Sequence, residues 1–127
     1  MNEQEMKERT KEFAKRIIRL CRALPPTRES RLVGNQVFRA GTSVGANYWA
    51  ACRGRSRADF VSKLGIALEE ADESSYWLEL IGETAMLPME KVKPLRLEAG
   101  EITAILNKSI LTARTNNETL SRRRTMK

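Results

Sequence analysis

Chemistry in this chain would have to come from a narrow set of side chains. There is no histidine at all, so the usual general acid–base group is missing. Two cysteines, Cys21 and Cys52, stand far apart with no CxxC spacing, which argues against a zinc site or a redox pair. Without a histidine beside them, neither can be an activated nucleophile of the cysteine–histidine kind. Ser43 sits in Gly-Thr-Ser-Val-Gly-Ala, which is neither a nucleophile elbow nor a phosphate loop, since it lacks the lysine and the preceding strand. The acids Glu69, Glu70, Asp72 and Glu73 are dense enough to suggest a carboxylate metal cluster. Bundle proteins of that kind add Glu-x-x-His pairs, so pairing with arginines of neighbouring helices or of a second copy is the better reading. The expectation is a protein that is not an enzyme and needs no metal or cofactor.

What remains is charge. The chain carries 23 lysines and arginines against 16 acids, a net charge of +7. Such an excess favours an anionic partner. It is unevenly placed. Residues 25–56 hold five bases and one acid, whereas residues 57–87 hold two bases and seven acids. Candidate phosphate contacts are Lys11, Lys15, Arg19 and Arg22 on one polar face, Arg28, Arg31, Arg39 and Arg53 on another, and Arg55 and Arg57 in a turn with Arg53. Tyr48, Trp49 and Trp77 could stack on unpaired bases. The alternative for these aromatics is a core or a subunit interface.

The elements that position these groups are helical. Met6, Phe13, Ile17, Leu20 and Leu24 recur at helical spacing from about Gln4 to Leu24, where Pro25 and Pro26 stop the helix. A second helix runs from a cap near Thr27 to about Arg53, with Val33, Val37, Ala40, Val44, Tyr48 and Ala51 inward. A third spans about Arg57 to Glu83, after a loose capping box of Ser56 and Asp59, with Phe60, Leu64, Ala67, Ala71, Ser75 and Leu78 inward. The fourth follows Pro88 and ends near Arg114, with Leu95, Ala99, Ile102, Leu106, Ser109 and Ala113 inward. Pro94 should either begin its regular part or kink it. No strand-period segment competes. The fold class expected is all-α, an antiparallel up-down-up-down four-helix bundle over residues 1–115, with a disordered basic tail at 116–127.

The second helix carries the most unusual stretch, Arg39 to Ala51. Gly41 and Gly45 each cost up to about 1 kcal/mol inside a helix. Close packing by another helix, within the chain or between copies, would offset that cost. Asn47 borders the inner stripe and reads as a satisfied amide that fixes register, with a ligand contact as the alternative. No apolar run reaches the length of a membrane span, and the start lacks the apolar core of a secretory leader, so a cytoplasmic protein is expected.

Arg39-Ala-Gly-Thr-Ser-Val-Gly-Ala-Asn47-Tyr-Trp, followed by Asp59-Phe60, Lys63-Leu64, Ile66-Ala67, Glu70-Ala71 and Tyr76-Trp77-Leu78, resembles the four-helix proteins of the 23S rRNA intervening-sequence family. The similarity spans about Phe13 to Arg114. Ala50 departs where members commonly carry an acid, and Glu69 where a lysine is common. The resemblance implies a left-handed bundle and a homopentameric ring, as in this family and the similar accessory proteins of diversity-generating retroelements. Those relatives are basic and thought to bind nucleic acid. Charge and resemblance together lead to a non-enzymatic, ring-forming protein that binds nucleic acid, RNA before DNA, through its basic helix faces. The alternative is an assembly scaffold or accessory subunit of a nucleic-acid-processing protein partner. Membrane binding by the first helix is disfavoured, because its apolar face is needed for the core.

Overall fold

The computed structural model describes the backbone of residues 1–125 and the side chains of residues 1–116. Four helices follow one another, α1 (Glu3–Ala23), α2 (Arg28–Cys52), α3 (Arg57–Glu83) and α4 (Met89–Thr125). Consecutive helices pack side by side, and α1 closes against α4 more thinly. The expected all-α bundle is what forms. α4 continues to Thr125, past the end near Arg114 that the apolar spacing suggested. The basic residues of the expected tail, Arg122, Arg123, Arg124 and Lys127, have side chains outside the described residues.

Local chemistry sets most helix ends. Asn2, Thr27 and Ser56 each accept a hydrogen bond from the backbone N–H three residues on, at 2.8, 3.2 and 3.0 Å. The Ser56–Asp59 box is only half closed. The Asp59 carboxylate accepts instead from the Arg55 N–H, at 3.3 Å. Leu24, forced out of helical geometry by the proline after it, ends α1. α3 ends in a Schellman motif. Met86 N–H donates to the Ile81 carbonyl and Ala85 N–H to the Gly82 carbonyl, with Ala85 at φ 59°. Pro94 neither starts α4 nor ends it. It lies six residues in and is exposed, so the one helix bond it removes faces water.

The core follows the expected stripes with small shifts. Phe13, Ile17, Val37, Val44, Leu64, Leu78, Ile102 and Leu106 are buried. Ser74, not Ser75, is the buried serine of α3, and Ile110 is buried where Ser109 was expected inward. Both 3- and 4-residue steps keep a helical stripe, and here the step of three carries α3 from Ala71 to Ser74. Buried Ser74 donates to the Glu70 carbonyl at 2.8 Å, and buried Thr10 to the Met6 carbonyl at 2.9 Å. Neither hydroxyl is left unsatisfied.

The glycines of α2 do the packing work within the chain. A methyl group at Gly41 would lie 2.6 and 2.9 Å from the γ carbons of Ile17, which is fully buried. At Gly45 it would lie 3.3 Å from the Thr10 carbonyl, and at Gly34 3.0 Å from Leu24. These three glycines face α1 along about 16 Å of α2. By contrast, Gly65 and Gly100 have nothing within 4 Å of such a methyl.

The thinner α1–α4 seam is closed by charge. Arg9 donates to both Glu98 carboxylate oxygens, at 2.8 and 2.6 Å, and also reaches Glu101. This forked geometry suits a guanidinium. The hydrogen bonds from Arg9 hold the Glu98 carboxyl below the usual carboxylate range. Its stabilising contribution is therefore complete above the unfolded pKa of about 4.5 and is lost as pH falls through the lower folded value.

Two outcomes are expected. Gly41→Ala should lower the unfolding free energy in urea by about 1–3 kcal/mol through overpacking against Ile17, whereas Gly65→Ala should raise it by up to about 1 kcal/mol. Glu98→Gln should be less stable than the parent at pH 7. Thermal melts across pH 7 to 3 should show that difference shrinking towards zero below the carboxylate range.

Candidate nucleic-acid interface

The α1–α2 seam brings two stripes together. On α1, Lys7, Lys11, Lys15 and Arg22 recur at helical spacing beside the buried face. Lys11, Lys15 and Arg22 are exposed and make no ion pair or side-chain hydrogen bond among the described residues. Arg19 is exposed too, 3.5 Å from Glu12 on its own helix. On α2, Arg31, Asn35, Phe38, Thr42, Trp49 and Arg53 follow one another at steps of three, four and seven. This stripe borders the glycine stripe, so it comes out beside α1.

Two large aromatics break that surface. Trp49 is 44% exposed and Phe38 is 45% exposed. The Lys7 ammonium lies 5.3 Å from the centre of a Trp49 ring, and the Arg53 guanidinium carbon 6.0 Å from it. Cations at these distances are attracted by the ring's quadrupole. Lys7 is also 3.4 Å from Glu3. Phe38 edges a cavity of about 320 Å³ beside the Pro25–Pro26 turn, with Arg31 and Asn35 on its wall. Arg28 and Arg31 are exposed and unpaired among the described residues.

The other expected contacts separate from this face. Arg39 is turned to α3, where its guanidinium donates to both Glu73 oxygens at 2.8 Å and to Glu70 at 3.3 and 3.4 Å. It ties α2 to α3 and leaves the phosphate-contact set. Burial pushes the Glu70 carboxyl up, and Arg39 opposes that shift. Arg55 is exposed in the turn. Arg57 crosses to α4, with Nη1 3.5 Å from the Ala113 carbonyl oxygen.

The packing residues also sort themselves. Gly41, Gly45 and Tyr48 are buried within the chain, so none of them offers a surface to a second copy. Burial raises the pKa of the Tyr48 phenol. Asn47 Nδ2 donates to the Ser43 carbonyl of its own helix at 2.8 Å. That satisfies the amide locally, without a partner across the bundle. Trp77 is half-buried, and its indole N–H is enclosed with no acceptor among the described residues. Of the three expected stacking residues, only Trp49 presents itself to solvent.

Three acids of α3, Glu69, Asp72 and Glu83, remain unpaired among the described residues. Glu69 and Asp72 are exposed and, with Gly100, Thr103 and Asn107 of α4, line a cavity of about 430 Å³. Glu79 pairs with Arg96 at 3.3 Å and Asp59 with Lys63 at 3.2 Å. Cys21 and Cys52 are separate half-buried thiols, and burial pushes Cys21 up to about 11. Such a group stays protonated and poorly nucleophilic at neutral pH. No helix among the described residues is long and apolar enough to cross a membrane.

Phe38 and Lys7 were missed as site residues by the sequence reading. Phe38 was findable, because it lies eleven residues before Trp49 and so returns to nearly the same side of α2. Lys7 could not be assigned to Trp49 without knowing how α1 and α2 cross.

No curated protein matches the chain. Among solved structures, a protein of unknown function from the S23 ribosomal protein family of Bacteroides thetaiotaomicron superposes with a TM-score of 0.78. It is 39% identical, and the match covers 83% of this chain and 97% of that one. The profile of the 23S rRNA-intervening sequence proteins matches residues 2–108, and the chain belongs to that family.

Proposed function

We propose that the chain is a non-enzymatic protein that binds single-stranded nucleic acid, RNA before DNA, across the α1–α2 face. The observation that carries this reading is Trp49, exposed and flanked by Lys7 and Arg53. An aromatic surface with cations at its edge suits a base with phosphates on either side. Phe38 offers a second stacking surface about 16 Å along the same helix. Between them and along α1, Lys11, Lys15, Arg22 and Arg31 are cations with no acid to neutralise them among the described residues. A duplex would leave these aromatics without an open base to stack on, which favours unpaired RNA.

A second reading concerns assembly and is compatible with the first. On the outer side of α4, Leu97, Gly100, Ala104, Asn107 and Leu111 recur at alternating steps of three and four. Leu97 is 61% exposed and Leu111 is 55% exposed. The open space over Gly65 and Gly100 gives a neighbouring helix room to approach. Homo-oligomerisation through this face supports the ring, of five copies, that the resemblance to this family and to retroelement accessory proteins implies. A ring would repeat the basic face and raise avidity. The same surface could serve as the docking face of an accessory subunit.

Stacking and charge make separable contributions. Trp49→Ala should weaken binding of a short single-stranded RNA by about 1–3 kcal/mol without changing the salt slope. Lys11→Gln with Lys15→Gln should instead reduce the slope of log affinity against log salt by about 1.4, or 0.7 per phosphate contact. Fluorescence anisotropy across a salt series measures both, and an affinity independent of salt would rule the reading out. For assembly, Leu97→Lys with Leu111→Lys should give monomers of unchanged helicity by solution mass measurement.

A further inference from the structure

A further cavity lies away from the α1–α2 face, at the end of the bundle where α2 ends and α3 begins. It has a volume of about 700 Å³, within the range of small-molecule sites. It lies between Met1, the end of α2, the start of α3 and the stretch of α4 from Ile105 to Asn116. Its apolar wall includes Phe60 and Ile105, both half-buried. Its rim carries Arg57 from α3 and Lys108 from α4, with the Ser109 and Thr112 hydroxyls nearby. Among the described residues, no acid lines it. The Arg57 guanidinium donates to the Ala113 carbonyl at 3.5 Å.

We propose that this notch binds a nucleotide, with the base against Phe60 and Ile105 and the phosphate between Arg57 and Lys108. Two cations with no acid beside them among the described residues select a phosphate, and an apolar wall that carries a phenyl ring suits an aromatic body. The hydroxyls of Ser109 and Thr112 supply partners for a ribose. The nucleotide is either free or the 5′-phosphorylated end of a strand. The second source rests on the RNA reading above and the first does not.

The test uses the full chain, titrated calorimetrically with uridine 5′-monophosphate and with uridine. Uridine should bind at least tenfold more weakly than the monophosphate. Arg57→Gln with Lys108→Gln should weaken the monophosphate at least tenfold, while Lys91→Gln with Lys93→Gln, exposed near the start of α4, leaves it unchanged. Both notch residues are exposed, so the fold is kept, and circular dichroism checks this. Equal binding of uridine and the monophosphate, or an unchanged affinity in the notch variant, would overturn the proposal.

Short oligouridylates with 5′-phosphate and 5′-hydroxyl ends separate the two sources. A preference for the phosphorylated end that the notch variant loses assigns the site to strand ends. Equal binding of the two oligomers, with the monophosphate still bound, assigns it to free nucleotide. RNA binding without any monophosphate binding or end preference overturns the notch alone. Monophosphate binding without RNA binding overturns the α1–α2 reading alone.

Discussion

The approach of α1 to α2 at Gly41 and Gly45 sets the rest of the molecule. Ile17 occupies the space that a methyl at Gly41 would need, and the Thr10 backbone lies against Gly45. Two helix-weakening residues are tolerated because they let buried side chains meet backbone. Once that side of α2 is committed to α1, the flanks have fixed destinations. One flank carries Arg39 to the acids of α3. The other emerges beside α1 with Phe38 and Trp49 on it, close enough for Lys7 to sit over a Trp49 ring.

Charge then divides by what lies opposite. Arg9 and Arg39 meet carboxylates on α4 and α3 and act as ties between helices. The Arg39 tie is exposed and contributes little energy, while the forked Arg9–Glu98 pair is part-buried, and both fix how neighbouring helices align. Lys11, Lys15, Arg22, Arg28 and Arg31 meet no acid among the described residues. These cations share a surface with exposed aromatic rings. Solvation alone would explain the cations, but it gives no reason for two large rings among them.

Much of the fold was legible in the sequence, and for identifiable reasons. The apolar period, the double proline and the capping residues placed three helices to within a residue or two at each end. Gly41 and Gly45 were readable as close-packing positions because glycine inside a helix needs an offset. Whether that neighbour was α1 or a second copy was not readable, since a helical stripe does not name its partner. The same ambiguity misplaced Arg39. It shares a broad face with Arg28 and Arg31 in sequence, yet lies on the flank nearer α3. Phe38 was passed over because an apolar residue among apolar residues looks like core until its direction is known. Pro94 does not begin α4, because an exposed helix flank can lose one hydrogen bond to water at little cost.

The central claim is that Trp49 is a stacking surface for unpaired RNA, served by the cations beside it. The chain has only two tryptophans, so Trp77→Phe makes Trp49 the sole indole reporter. Trp77 has no acceptor for its indole N–H among the described residues, so this change removes no hydrogen bond to them. Emission of that variant should be followed as a short single-stranded RNA is added at low salt, with binding recorded in parallel by anisotropy. The account predicts that Trp49 emission is quenched in step with binding and recovers as salt releases the RNA. RNA that binds while Trp49 emission stays unchanged would contradict it.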